Sequence, residues 1–351
     1  MNQIYADYMA EVIGKLVNTP SPSGYTEQIL PVVREEAQKL GYSVEITPTG
    51  AMVIDVPGKD EESKDVLCLA AHVDTLGAMV RSVTAQGTLK IMSVGGYMFS
   101  TIEGEYCKIH SRRTGKTFTG TVLTTSPSVH VHDDAYKLER VEKSMEIRID
   151  ERVASKEDVI ALGIDAGDYV SFEPRFEYTE SGFIKSRHLD DKASAGVLFG
   201  ALKYMKDNNL VPDQHVKVML TSYEEIGRGA SWLPENVTSM LAVDMGCVGD
   251  DLSGDEYHVS ICAMDSAGPY DYQMTNTLMD LAKRDGIGYV VDVFPHYSSD
   301  ASAAMRGGNP IRAALIGQGV QASHSMERTH IDGVYQTFKL VLAYLGVKVE
   351  D

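Results

Sequence analysis

The chain has 351 residues, 43% of them hydrophobic, and a formal net charge of −18. That length holds one large domain or two, with room for a sizeable core. So acidic a surface argues against nucleic acid or an anionic membrane as partner, and no apolar run is long enough to span a bilayer.

Four cysteines, Cys68, Cys107, Cys247 and Cys262, are scattered without metal-type spacing. We read them as reduced, mostly buried thiols of a cytoplasmic protein. The N-terminus lacks a basic stretch followed by an apolar core, so no signal peptide is expected. In chain order, residues 2–18 place Ile4, Tyr8, Val12 and Leu16 on one helical face. The segment from Thr19 to Gly24 stops that helix. A second helix is expected from Thr26 to Leu40, with Gly41 at its end. Strands follow at 43–48 and 51–56, then a charged turn over 58–64. The run 66–71 is apolar at every position, as a central strand covered on both faces should be. It ends in His72-Val-Asp74.

From about Leu76 to Phe176 the texture changes. Short alternating runs at 78–83, 89–94, 106–111 and 117–123 are separated by glycine-containing turns, with one short helix at 155–162. This predicts an all-β module inserted into an α/β domain. Its His110, His130 and His132 are candidate metal ligands by type alone, but no carboxylate constellation accompanies them, and we expect them to be surface or loop histidines. The α/β texture returns with a long helix at 193–208, preceded by Leu189-Asp-Asp-Lys192. A strand at 215–220 leads to Glu224-Glu225, where Gly227 and Gly229 break the pattern. Further strands are expected at 239–244, 256–262, 289–293 and 311–316. Helices are expected at 270–285, 301–305 and 329–345.

Each candidate site residue has an ordinary explanation when taken alone. His72 could be a core histidine, Asp190-Asp191 a helix cap, Glu224-Glu225 a solvated turn, Asp244 a loop cap and His324 an exposed loop residue. As a set they are more specific. Of the six candidates His72, Asp190, Glu224, Glu225, Asp244 and His324, five sit at or just beyond apolar strands, and in a parallel-rich sheet such ends share one edge. Two histidines and several carboxylates without cysteine suit zinc, cobalt or manganese. A shared carboxylate with two private ligands per ion leaves a place for a water between two ions. Asp74 shares a strand face with His72 and could hold its imidazole in one tautomer.

Taken together, His72-x-Asp74, Leu189-Asp-Asp-Lys192, Glu224-Glu225, Val243-Asp244, Ser299-Asp-Ala301 and Ser323-His324 resemble the tetrahedral (TET) and glutamyl aminopeptidases, the forty-second metallopeptidase family. Order and approximate spacing match along essentially the whole chain. The resemblance implies an α/β fold: a three-layer α/β/α catalytic domain with a mixed sheet, formed by 1–75 and 177–351. It also implies a β-barrel-like dimerisation domain at 76–176. It makes Asp190 a bridge between two divalent ions, zinc first, with cobalt or manganese as alternatives. His72 and Asp244 complete one site, and Glu225 and His324 the other. Glu224 becomes the general base, Asp74 the residue orienting His72, and Asp191 an outer partner. Peptide substrates, dimers and dodecamers built from them are implied as well. After His72-Val-Asp74 the family commonly has an acidic residue and isoleucine. This chain has Thr75-Leu76, which bears on the substrate pocket.

Two other readings remain at this point. One is a related dinuclear hydrolase that deacylates N-acyl amino acids. The other is an inactive peptide-binding homologue, which would be free to lose the base or a ligand. Arg228, His296 and Arg306 are the cations that could meet an acidic substrate side chain.

Overall fold

The computed structural model describes residues 1–60 and 65–350. The charged turn expected over 58–64 lies in part outside the described residues. A ten-stranded mixed sheet forms the larger body. Four strands run parallel through its centre, in the order His215–Thr221, Val66–His72, Val237–Val243 and Arg312–Val320. Met52–Val56 flanks the first of them and Val259–Asp265 the last, both antiparallel. Register pairs Thr221 with His72, and Val243 with Ile316. The carboxyl ends of the central strands therefore open onto one edge.

Val66–His72 is buried at every position. Its period-two alternation sends Leu67, Leu69 and Ala71 into one core and Cys68 and Ala70 into the other. Helices Gln3–Val17, Leu189–Asp207 and Ile331–Tyr344 cover the larger core. The smaller core is closed by the short helix Asp300–Arg306 with Ala230 and Leu233. The three layers are thus unequal.

The first helix faces differently from its expected stripe. Ile4 is 67% exposed, and the buried side carries Tyr5, Met9, Val12, Ile13 and Leu16. Close helix packing selects that side. A Cβ on Gly196 would lie 2.5 Å from Ile13, and one on Gly200 would lie 2.6 Å from Met9. The second helix is shorter than expected, Ile29–Lys39, and Gly41 follows it at φ +85°. The strand expected at 256–262 is displaced to Val259–Asp265.

The inserted module is a closed six-stranded barrel of Gly77–Val83, Leu89–Val94, Met145–Ile149, Thr117–Thr124, Tyr106–His110 and Tyr169–Phe172. It has its own apolar core, which includes Val80, Ile91, Ile109, Val122, Ile147 and Val170. Among the described residues no helix is long and apolar enough to cross a membrane.

Candidate metal centre

The sheet edge collects its polar side chains from separate elements. His72 ends its strand, and Asp244 directly follows Val237–Val243. Glu224 and Glu225 form a single turn just beyond His215–Thr221. Asp190 and Asp191 open the helix Leu189–Asp207 with non-helical dihedrals, joined by a cis peptide bond. His324 follows Arg312–Val320 in a turn, at φ +62°.

Asp190 stands between the two histidines. His72 Nε2 lies 3.1 Å from Asp190 Oδ1, and His324 Nε2 lies 3.3 Å from Asp190 Oδ2. Glu225 Oε2 is 3.4 Å from His324 Nε2, and Glu224 Oε2 is 3.7 Å from His72 Nε2. His72, Asp190 and Asp244 each present a ligand atom, all within 4.8 Å of one another.

A further layer fixes these groups. Asp74 meets His72 Nδ1 through its backbone carbonyl at 3.0 Å, with its carboxylate 3.6 Å away. That carboxylate instead accepts hydrogen bonds from the backbone N–H groups of Glu224 and Glu225 at 3.1 and 3.3 Å and from Ser23 Oγ at 2.5 Å. Asp191 accepts from the His72 N–H at 3.1 Å. Asp300 accepts from the Ala230 N–H at 2.8 Å and from the Thr221 hydroxyl, which pins the loop after Glu225. Gly229 is required there, since a Cβ would sit 2.2 Å from the Asp300 carboxylate. Glu327 was not anticipated. It is buried and accepts from the N–H groups of Asp190 and His324 at 3.0 and 2.8 Å. The barrel contributes as well, because the Gly96 carbonyl lies 2.5 Å from His324 Nδ1.

The electrostatics are those of acids crowded beyond their supply of cations. Burial opposes the charge on His72, yet Asp190, Glu224, Asp74 and Asp244 together hold its pKa well above the ordinary value. Burial likewise opposes His324, but the bond to Asp190 and the charge of Glu225 bring it up to about 11. Burial, then neighbouring carboxylates, push Glu225 up strongly and Glu327 to about 8. Burial raises Glu224, reinforced by Asp244 and Asp300. Asp244 reaches about 7, through burial and then the charge of Asp190. Asp190 is the exception. Burial works against its ionisation, but His324 and His72 hold it well below the usual carboxylate range.

These residues fit a divalent cation. Glu225 Oε1 and Asp191 Oδ1 are buried without a hydrogen-bond partner, and oxygens left so are costly unless something positive meets them. Imidazole and carboxylate donors together suit zinc, cobalt and manganese. A cavity of about 480 Å³ opens from the cluster, lined further by Met245, Cys247, Ser266, His296, Tyr297 and Ser323. His296 thus reaches the cavity, whereas Arg228 stacks over the Tyr223 ring at 4.9 Å and Arg306 is exposed on its helix. Leu76 is buried against Gly95 and is not among the lining residues.

The barrel histidines are apart from this centre. His130 and His132 lie in a turn. His110 corrects the expectation of a surface residue: it is buried at the end of its strand, with Nε2 2.8 Å from Ser171 Oγ and its ring packed against Tyr25.

A mixed α/β sheet with an inserted barrel, and a buried histidine–carboxylate cluster at its strand ends, define a metal-dependent hydrolase. The chain belongs to the M42 glutamyl aminopeptidase family, which it matches over residues 50–340. It is 44% identical over 336 residues to YhfE of Bacillus subtilis (strain 168), named as a presumed aminopeptidase. That match covers 95% of this chain and 96% of YhfE. Among solved structures, an aminopeptidase from the archaeon Desulfurococcus kamchatkensis has the same fold, with a TM-score of 0.85 and 22% identity over 97% of this chain and 95% of that one. So does the TET1 peptidase of Pyrococcus horikoshii, with a TM-score of 0.84 and 22% identity over 96% and 99% of the two chains. The protein is a metal-dependent aminopeptidase, a hydrolase of peptide bonds.

Proposed function

We propose that this protein removes N-terminal residues from peptides with two divalent ions, zinc first and cobalt or manganese as alternatives. His72, Asp190 and Asp244 would hold one, and Asp190, Glu225 and His324 the other. The observation that carries this reading is Asp190, whose two carboxylate oxygens face His72 and His324 separately. When bound, such ions polarise the attacking water and the scissile carbonyl. Glu224 is the general base: it takes a proton from the attacking water and returns it to the leaving amine. Glu225, its neighbour, is turned to His324 and does not serve this purpose. Asp74 positions both glutamates through their backbone N–H groups, and Asp191 supports His72 from behind.

The same reading divides the chain into a catalytic domain of 1–75 with 177–351 and an oligomerisation domain of 76–176. Dimers would assemble into a dodecamer, in the cytoplasm. Support comes from the P. horikoshii relative, described as able to assemble into a tetrahedron or a large octahedral shell. Aminoacyl-nitroanilides and N-acyl amino acids, each with and without added zinc, cobalt or manganese, test the activity. Metal-stimulated cleavage of the first set is expected, and activity confined to the second would overturn the reading. Light scattering with metal present tests the assembly, and a monomer would count against it.

A further inference from the structure

Four carboxylates line the cavity, Asp190, Glu224, Glu225 and Asp244. Attack on a peptide carbonyl moves negative charge onto its oxygen, and a fixed donor aimed at that oxygen lowers the barrier. Carboxylates cannot supply such a donor while ionised. Tyr297 lines the same cavity, on the loop that follows Tyr289–Val293. Its hydroxyl is buried and faces the Asp244 carboxylate without a well-formed hydrogen bond to it. A native structure rarely leaves such a group unpaired without a use for it.

The residue is also well fixed. Its ring packs edge-on against Phe294, with centroids 5.3 Å apart. Its backbone carbonyl accepts from the Ser266 N–H at 3.1 Å and from Ser266 Oγ at 2.5 Å. The nearby hydroxyls of Ser266 and Tyr270 are already engaged, the first with this carbonyl and the second with Asp265 and Ser299. A donor held by packing, with its hydroxyl facing the cluster and not locked in a well-formed hydrogen bond, is what electrostatic stabilisation of a developing oxyanion requires.

We propose that the Tyr297 hydroxyl donates a hydrogen bond to the oxygen of the scissile carbonyl as the peptide is attacked, which makes Tyr297 a catalytic residue as well as a wall of the pocket. The inference rests on the peptidase reading above. The water oxygen bonds to the carbonyl carbon, and the C=O π pair moves onto the carbonyl oxygen. Tyr297 shares its proton with that oxygen and keeps it. When the C–N bond breaks, the pair returns to the carbonyl, and the amine leaves with the proton carried by Glu224.

The test is Tyr297→Phe, which deletes one oxygen and keeps the ring. Five quantities are compared with wild type: kcat and KM on an aminoacyl-nitroanilide, bound metal, affinity for a phosphinic dipeptide that mimics the tetrahedral state, and affinity for the free amino acid product. We expect kcat to fall roughly 10²-fold, as for loss of one oxyanion donor, with KM and metal content unchanged. Affinity for the phosphinic dipeptide should fall by a similar factor, while product affinity holds. Wild-type kcat would overturn the proposal. So would loss of metal, or equal weakening of both ligands, because either marks a structural role. A wild-type protein that cleaves no peptide would overturn the peptidase reading and this inference with it, and the wild-type control shows which has failed.

Discussion

Glu224 and Glu225 are adjacent in sequence but meet different partners, Glu224 lying near His72 and Glu225 near His324. Glu224→Gln keeps size and polarity but cannot take a proton. It should retain bound metal and peptide affinity while turnover falls roughly 10²–10⁴-fold. Metal analysis beside steady-state kinetics checks this, and near-normal turnover would remove Glu224 as the base. Asp190→Ala should instead lose most bound metal, because it removes the group that faces both histidines. Retention of two ions by that variant would contradict the bridging assignment. The proposed ligands were legible from the sequence because each stands at the end of a recognisable apolar strand or beside a helix start. Glu327 was not. It lies three residues beyond His324, at the start of the short strand Glu327–His330, and only the fold shows that it holds the backbone of both Asp190 and His324. The work of the Asp74 carboxylate was hidden for a similar reason. Its strand face suggested His72 as partner, whereas its hydrogen bonds reach residues about 150 positions away.

At the scale of elements, one link between the barrel and the larger body is a buried ion pair. Arg187 donates to Glu105 Oε2 from Nη2 at 2.7 Å and from Nε at 3.1 Å, and it also reaches the Thr101 carbonyl. Both side chains are nearly inaccessible to solvent, at 6% and 5%. Arg187 lies three residues before Asp190, so the pair ties the start of the barrel strand Tyr106–His110 to the approach to the metal centre. Removing one member of a buried pair strands the other and costs about 3–5 kcal/mol. Glu105→Ala should lower stability by that order in denaturant unfolding, and a loss indistinguishable from a surface substitution would show the pair to be solvated. Neither residue stands out in the sequence, since a charge pair 82 positions apart leaves no local pattern. The central strands were readable from their continuous apolar runs, and the barrel from its change of texture. Tyr169–Phe172 and Glu327–His330 were not anticipated, because strands of four residues span too few alternations to fix a period. The displaced strand Val259–Asp265 has a different cause. Its far end, Met264-Asp265, pairs with Gly268-Pro269 in a tight antiparallel return, so the strand extends past the apolar run that announced it.

For the whole molecule, the metal centre couples stability to pH. Without metal, Asp244 and Glu327 titrate at about 7 and about 8, against ordinary carboxylate values near 4. A raised folded-state pKa means that the folded protein holds protons which the unfolded chain releases. The stability these groups contribute is fully present below about pH 4 and is lost as pH rises to 7 and 8. His324, raised to about 11, acts in the same direction, its contribution present below about pH 6.5 and declining above it. Asp190 is depressed, so its contribution is lost only in acid, below the ordinary carboxylate range, and stays constant across this window. The contributions of the metal centre that change between pH 5.5 and 8.5 therefore share one sign, and they outnumber the opposite ones of His110, His188 and Lys192, which burial depresses. Protein stripped of metal with a chelator should show a Tm that falls from pH 5.5 to 8.5 in scanning calorimetry. A divalent ion needs these same groups deprotonated, so it binds more tightly as pH rises. Saturating zinc should therefore raise Tm more at pH 8.5 than at pH 5.5, flattening or reversing the slope. A metal-free Tm that stays level or climbs over this range would mean that the acids do not carry the strain assigned to them. An increment from zinc that is the same at both pH values would mean that the ion binds away from them.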